Sequence, residues 1–345
     1  MSLGIMRTTL DQWIREKHGF DTDDRQAIES YQLARIRAVI DYAKAQSSFY
    51  RRLYEDWAVP ESFDAFSQFP MIDSGDLVQH GLLMLCVKQS EISRIVTFEF
   101  PQRGAPEELT TMRTSGTVES PKRIYFTRED IELTLDFFEH GMKTLCRPGE
   151  RALILFPAKT PDSVGALLSE ALTRLGLTVH CEDCETAVAL LREIPVDVVC
   201  GSASYLMAVS KRTEDTRVRA VLSSSESLSS EDRQSLERAW HCQIFDHYGM
   251  TETGLGGAVE CDAHCGMHIR ENDLYFEVVD GEGMTVPDGA MGELVVTTLT
   301  RRGMPFIRYR TGDNAILTGE RCPCGSLLRR ILYVKRKDSG ALCAN

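Results

Sequence analysis

The sequence predicts an α/β fold in which helices cover a mixed or parallel sheet and a β-rich subdomain follows. From Arg128 to Phe245, apolar runs of strand length alternate with segments of helical period, the pattern that buries a sheet between helices. Beyond Gly254 the strand-like runs LYFEVVD (Leu274–Asp280) and GELVVTTLT (Gly292–Thr300) crowd together around the turn signals DGEG and PDG. With 345 residues, 43% hydrophobic and 26% charged, the chain can bury the core of one large domain or two ordinary ones.

Leu10–His18 and Asp23–Gln46 read as helices, the second with Ile28, Leu33, Ile36, Val39, Ile40 and Ala43 on one stripe. Phe69–Leu77 reads as a loop entering a helix capped by Asp73 or Ser74. Ile95–Phe100 and Arg123–Phe126 are strands entering and leaving a Ser/Thr/Gly-rich loop. Helix Glu129–Leu145 opens the alternating region, followed by strand Ala152–Phe156, helix Asp162–Leu175 and strand Thr178–Cys181. Helix Thr186–Arg192, strand Val196–Val199 and helix Ala203–Arg212 come next. Strand Val218–Leu222, helix Ser230–Trp240 and strand Gln243–Phe245 complete it. Ligands of such sheets sit beyond the carboxyl ends of the strands. That brings SSSES (Ser223–Ser227) and DHYGMTE (Asp246–Glu252) to one site. The expected organisation is a helical arm and first strand over residues 1–100, an α/β core over 101–254, a β-rich subdomain over 255–338 and a hinge-like end over 339–345.

A net charge of −12 argues against a general nucleic-acid or anionic-membrane surface. No apolar run approaches membrane-spanning length, and the first residues lack the apolar core of a signal peptide. Eleven cysteines, an odd count without the spacing of a disulfide scaffold, fit a reducing cytoplasm. Cys181 and Cys184 form a CEDC run, but the acidic flanks raise thiol pKa and argue against redox chemistry.

Three motifs carry the chemistry. TSGTVESPKRIYFT (Thr114–Thr127) is a loop whose amides and hydroxyls can wrap phosphate oxygens. IFDHYGMTETG (Ile244–Gly254) offers the flat face of Tyr248 for a base, the Thr251 hydroxyl, and Glu252 as a hard oxygen ligand for magnesium. PFIRYRTGD (Pro305–Asp313) ends on a carboxylate suited to accept from ribose hydroxyls. In that order the motifs resemble the adenylate-forming superfamily, and GELVVTTLTRRGMPFIRYRTGD is worded like its phenylacetate–CoA ligase branch. The resemblance runs from about Leu33 to about Asp338.

The resemblance implies the large N-terminal domain of an adenylate-forming enzyme: ATP activates a carboxylic acid as acyl-adenylate, with CoA as a possible acceptor. It places Thr114, Ser115, Gly116, Thr117 and Lys122 on the phosphates. Ser225, Glu226 and Ser227 line the adenine pocket, and Asp246, His247, Tyr248 and Gly249 form the strand end that meets adenine. Thr251 and Glu252 meet the α-phosphate and magnesium, and Asp313 and Arg336 the ribose. Where family loops read Thr-Gly this one has Val118-Glu119, and the added carboxylate would repel a triphosphate. Arg308 and Arg310 would meet phosphate or form a solvated face.

A second constellation is independent of ATP. CDAHCGMH (Cys261–His268) and CPC (Cys322–Cys324) supply soft ligands in two knuckles, as zinc requires. Spacing alone lets Cys261 pair with Cys265 or with His268. Family members with a CPCG segment tend to carry Cys and His at these positions, which favours Cys261, His268, Cys322 and Cys324, with Cys265 as the substitute and His264 in solvent. Such a zinc would be structural.

In the resembling enzymes the acid lies against the helix after the Phe156 strand and near the YG motif. Ser163, Gly165 and Ala166, with Leu255-Gly256-Gly257, make room there without a cation, which favours an aromatic or other hydrophobic acid. The resembling ligases continue into a small C-terminal lid that supplies a lysine and admits CoA, whereas this sequence ends at SGALCAN. The expectation is a missing lid, or a partner supplying that domain or a carrier thiol. A non-CoA acceptor, or a non-enzymatic nucleotide-binding or zinc-stabilised interaction protein on the same fold, are the competing readings.

Overall fold

The computed structural model describes residues 8–98, 122–214 and 216–337. Its N-terminal arm is α1 (Thr9–His18) and α2 (Arg25–Gln46). Thr8 and Asp24 cap them, accepting from the backbone N–H of Asp11 and Gln26 and so satisfying donors that the first turn leaves free. Because Asp24 is the cap, α2 begins two residues after the expected Asp23. Leu33 is only half-buried; Gln32 beside it is buried, donating to the carbonyls of Glu271 (3.1 Å) and Leu274 (3.3 Å). Sequence periodicity does not register a polar group that finds its partners 239 residues away.

Short helices α3 (Ser48–Leu53), α4 (Phe63–Phe66) and α5 (Ser74–His80) follow, the last capped by Asp73. β1 (Ile92–Phe98) and β2 (Lys122–Thr127) form an antiparallel pair. The expected phosphate-loop residues Thr114, Ser115, Gly116 and Thr117, with Val118 and Glu119, lie outside the described residues.

The alternating region folds as α6 (Arg128–Met142), β3 (Arg151–Ile154), α7 (Val164–Arg174), β4 (Thr178–Cys181) and α8 (Cys184–Glu193). It continues with β5 (Val198–Gly201), α9 (Ala203–Ser210), β6 (Ala220–Ser224), α10 (Ser230–Trp240) and β7 (Gln243–Tyr248). Then come β8 (Ala258–Glu260), β9 (Met267–Ile269), β10 (Leu274–Val279), β11 (Met291–Thr298), β12 (Tyr309–Thr318) and β13 (Arg330–Arg336). Among the described residues one 11-stranded sheet runs β10-β11-β12-β13-β9-β8-β7-β6-β5-β3-β4. Strands β4 to β7 pair in parallel, and every pairing from β7 through β8 to β10 is antiparallel. The sheet therefore passes without a break across residue 254.

Period-two alternation sorts the parallel strands onto two faces. Ala152, Ile154, Val198, Ala220 and Leu222 pack with α6 and α7 in one core. Leu153, Val199, Val221 and Ile244 pack with Leu191, Leu206 and Trp240 of α8, α9 and α10 in another. No helix among the described residues is long and apolar enough to cross a membrane.

Candidate active site

The carboxyl ends of β6 and β7 open onto one cleft. β6 ends at Ser224, and Ser225 turns the chain with φ of 71°. β7 ends at Tyr248 and leads through Gly249 to a 3-10 turn at Thr251–Thr253. Gly249 is obligatory for that turn, since a Cβ there would lie 2.5 Å from the Leu255 carbonyl oxygen.

Two clusters of predicted residues assemble here. In the first, Lys122 at the start of β2 forms an ion pair with Glu252, whose side chain is 2% exposed. The Tyr309 hydroxyl donates to the same Glu252 oxygen at 2.8 Å. Thr251 is buried beside them. In the second, Asp313 accepts from the Tyr248 hydroxyl at 2.8 Å and lies 3.4 Å from Arg336 Nη1. Asp313 and Arg336 are register partners across β12 and β13, and Arg336 also donates to the Thr311 carbonyl at 2.7 Å. Burial and the neighbouring Asp313 carboxylate push the Tyr248 phenol far above its ordinary range, so it remains a donor.

The expected flat face of Tyr248 packs edge-on against Phe276 at 6.1 Å, and the bond to Asp313 is the feature that the sequence did not show. Tyr309 was missed altogether. Its signal was present in RYR, where alternation turns Tyr309 away from both arginines. Of those arginines Arg308 is withdrawn from solvent, while Arg310 stays partly exposed. Arg308 is 1% exposed and pairs with Glu277 at 2.5 Å, while Arg310 pairs with Glu293. Buried carboxylates claim both charges.

Ser225, Glu226 and Ser227 are exposed. Glu226 accepts from the Ser204 N–H (2.8 Å) and hydroxyl (3.0 Å), which anchors this loop to the first turn of α9. Asp246 faces Arg233 at 3.4 Å, yet burial and then Glu260 push its carboxyl up to about 6. His247 shares a 2.8 Å hydrogen bond with Ser224 Oγ. Burial, then Arg270, pulls its imidazole down to about 4, leaving it neutral at ordinary pH. His264 is exposed, as expected, with its Nδ1 3.2 Å from Glu260 and its ring 5.0 Å from Phe245.

Next to this cleft lies a cavity of about 170 Å³, walled by Phe137, Phe138, Phe156, Leu168, Leu222 and the His247 ring. Its walls from α7 are Val164 and Leu168 rather than the expected Ser163, Gly165 and Ala166. Gly165 serves packing instead, because a Cβ there would sit 2.5 Å from the Phe156 carbonyl. Leu255 lines the cavity, as expected for the segment after Gly254.

The ligand atoms of Cys261, His268, Cys322 and Cys324 all lie within 4.8 Å of one another. Tetrahedral zinc with Zn–S near 2.3 Å and Zn–N near 2.1 Å requires S···S edges of about 3.8 Å and S···N edges of about 3.6 Å. Cys261 Sγ to Cys322 Sγ is 3.8 Å, and Cys324 Sγ to His268 Nε2 is 3.5 Å. Gly325, with φ of 92°, donates to the Cys322 carbonyl at 2.8 Å and closes the CPC knuckle. Cys265 is exposed and outside the cluster, its thiol bonded to the Ala263 carbonyl. The donor set fits zinc.

Residues 29–300 match the family described as AMP-binding enzyme. A helix-covered mixed sheet with its nucleotide-type motifs gathered at two strand ends is what that match leads one to expect, and the chain belongs to this family. Among its curated relatives is the phenylacetate-coenzyme A ligase of Thermus thermophilus, 26% identical over 328 residues, covering 88% of this chain and 69% of the relative. The phenylacetate-coenzyme A ligase of Pseudomonas putida is 27% identical over 317 residues, covering 85% and 67%. A solved structure of 2-hydroxyisobutyryl-CoA ligase, in complex with 2-HIB-AMP and CoA, shares the fold with a TM-score of 0.76 at 21% identity, covering 90% of this chain and 68% of that one.

Proposed function

We propose that this chain activates a hydrophobic, single-ring aromatic carboxylic acid as its acyl-adenylate and delivers the acyl group to CoA. The carrying observation is the meeting of two polar clusters, Lys122–Glu252–Tyr309 and Tyr248–Asp313–Arg336, beside an apolar cavity. A cavity of about 150 Å³ is enough for benzene, so about 170 Å³ suits one ring. The named activities of the relatives supply the acid and CoA.

In the reaction a carboxylate oxygen attacks the α-phosphorus of ATP and pyrophosphate leaves. Positioning and charge neutralisation carry such a step, with no covalent nucleophile on the protein. Asp313 and Arg336 hold the ribose, and the strand end Asp246–Gly249 with Ser225–Ser227 holds the adenine. Thr251 and Lys122 hold the phosphates, joined by the loop Thr114–Thr117. Glu252 would hold magnesium, which supplies positive charge on the phosphate oxygens when bound. Tyr309 orients the Glu252 carboxylate, and nucleotide binding draws Lys122 away from it. Cys261, His268, Cys322 and Cys324 would hold a structural zinc that ties β8 and β9 to the knuckle before β13. The α/β core of 101–254 thus bears the acid, and the β-rich part of 255–338 bears the ribose carboxylate. The free thiols of all ten described cysteines fit a reducing cytoplasm.

The test is ATP–pyrophosphate exchange dependent on magnesium and on one of a panel of aryl and aliphatic acids, with Asp313→Ala as control. Exchange with an aryl acid, abolished by the substitution, is the expected result. ATP binding by calorimetry without exchange for any acid would overturn acid activation.

A further inference from the structure

Four glycines line or frame the acyl cavity, and three are required by the fold. A Cβ at Gly165, Gly249 or Gly256 would come within 2.6 Å of backbone or of the Phe137 ring. Gly141, in the last turn of α6, is different. The nearest atoms to a Cβ built there, the helix's own backbone aside, are Val259 Cγ1 at 3.7 Å and two Phe137 ring carbons at 3.8 Å, ordinary van der Waals contacts. Its φ is not positive, so the left-handed backbone that favours glycine at helix ends is not the reason for it. Within a helix glycine is disfavoured relative to alanine. Packing tolerates a methyl, the backbone does not call for glycine, and helix propensity opposes it. What remains is the space itself: Gly141 is buried and lines the cavity.

We propose that Gly141 sets the depth of the acyl pocket and selects a ring-sized acid over one that a shallower pocket would hold. This rests on the acid-activating reading above. The cavity wall has no side chain at Gly141, beside Phe137 and Val259 that also line it, and a β-substituent there would take up part of the cavity. A fold indifferent to the methyl and a ligand sensitive to it would make Gly141 a specificity residue rather than a packing one.

The experiment compares wild type with Gly141→Ala and Gly141→Val by thermal unfolding, by toluene binding followed by NMR, and by exchange with phenylacetate and with propionate. Toluene needs the cavity and none of the chemistry. The expected result is a Tm raised by about 1–3 °C in Gly141→Ala and toluene affinity lowered about tenfold or more in Gly141→Val. The ratio of phenylacetate to propionate exchange should fall by a similar factor. A Tm lowered in Gly141→Ala would show that packing requires glycine and overturn the proposal. So would toluene binding unchanged in Gly141→Val, or no toluene binding in wild type. Toluene binding lost on substitution, with no exchange by wild type on any acid, would leave the pocket-depth role standing and remove the acid-activating reading instead.

Discussion

The parallel and antiparallel halves of the sheet are held by different forces. In β3, β5 and β6 the strands are apolar on both faces, and Leu153, Val199, Val221 and Ala152 are each 0% exposed between helices. Around β8 to β13 buried carboxylates are matched by arginines: Glu277 by the equally buried Arg308, Glu271 by Arg25 of α2 at 2.6 Å, and Glu293 by the partly exposed Arg310. Four soft ligands that would hold a zinc gather there as well. The first half is stabilised by area removed from water and tolerates changes that conserve volume. The second depends on particular partners, and removing one strands the other.

The largest separation of the two should come from removing metal. Structural zinc in isolated finger peptides is worth about 10–16 kcal/mol. Chelation should therefore strip amide-exchange protection from β8, β9 and the CPC knuckle while β3, β5 and β6 keep theirs. Uniform loss or no loss would break the contrast. Next, Glu277→Ala leaves Arg308 buried and unpaired, for an expected loss of about 3–5 kcal/mol in urea unfolding. Leu153→Ala should cost a comparable 2–5 kcal/mol, roughly, by leaving a hole, but Leu153→Met should restore most of it. Glu277→Gln, which keeps the shape but not the charge, should restore much less. Equal rescue in both would show that shape rules both halves.

The smallest effect lies at the seam and depends on pH. His247, held near 4 in the folded protein, titrates near 6.5 when unfolded. Its contribution is present in full above 6.5 and lost as pH falls towards 4, amounting to about 3 kcal/mol. Asp246, raised to about 6, has the opposite sign. It favours the folded state below the ordinary aspartate value of about 3.9, and that contribution is lost as pH rises towards 6. Unfolding free energy followed from pH 7 to pH 4 should fall less steeply in His247→Gln than in wild type. An identical slope would show that His247 titrates alike in the folded and unfolded states.

These differences also decide what was legible. Strands buried on both faces advertise themselves, so the alternation from Arg128 onward emerged with boundaries shifted by only a few residues, as in Val218–Leu222 against Ala220–Ser224. The meeting of Cys261, His268, Cys322 and Cys324, and that of Asp313 with Arg336, were legible because the motif wording names these residues together. Tyr309 and Arg308 were not, because each is defined by a partner far along the chain. Arg308 looks solvent-facing in RYR until Glu277 is placed beside it, 31 residues away. The cavity walls escaped for a related reason: which side of α7 faces inward depends on how α7 packs, and Gly165 looks like room while serving as a contact.

Glu260 has one more consequence. Only His247 and Tyr248 of β7 pair with β8, so the strand's earlier residues have no ladder partner on that side. There Glu260 accepts from the Asp246 N–H at 3.0 Å, and Arg233 donates to the Ile244 carbonyl at 2.8 Å. Two side chains occupy hydrogen-bonding groups that a foreign strand would otherwise find free. An unguarded edge is a template for self-association. Loss of either side chain would therefore show itself first in how the protein behaves as it is concentrated, before its melting point moved.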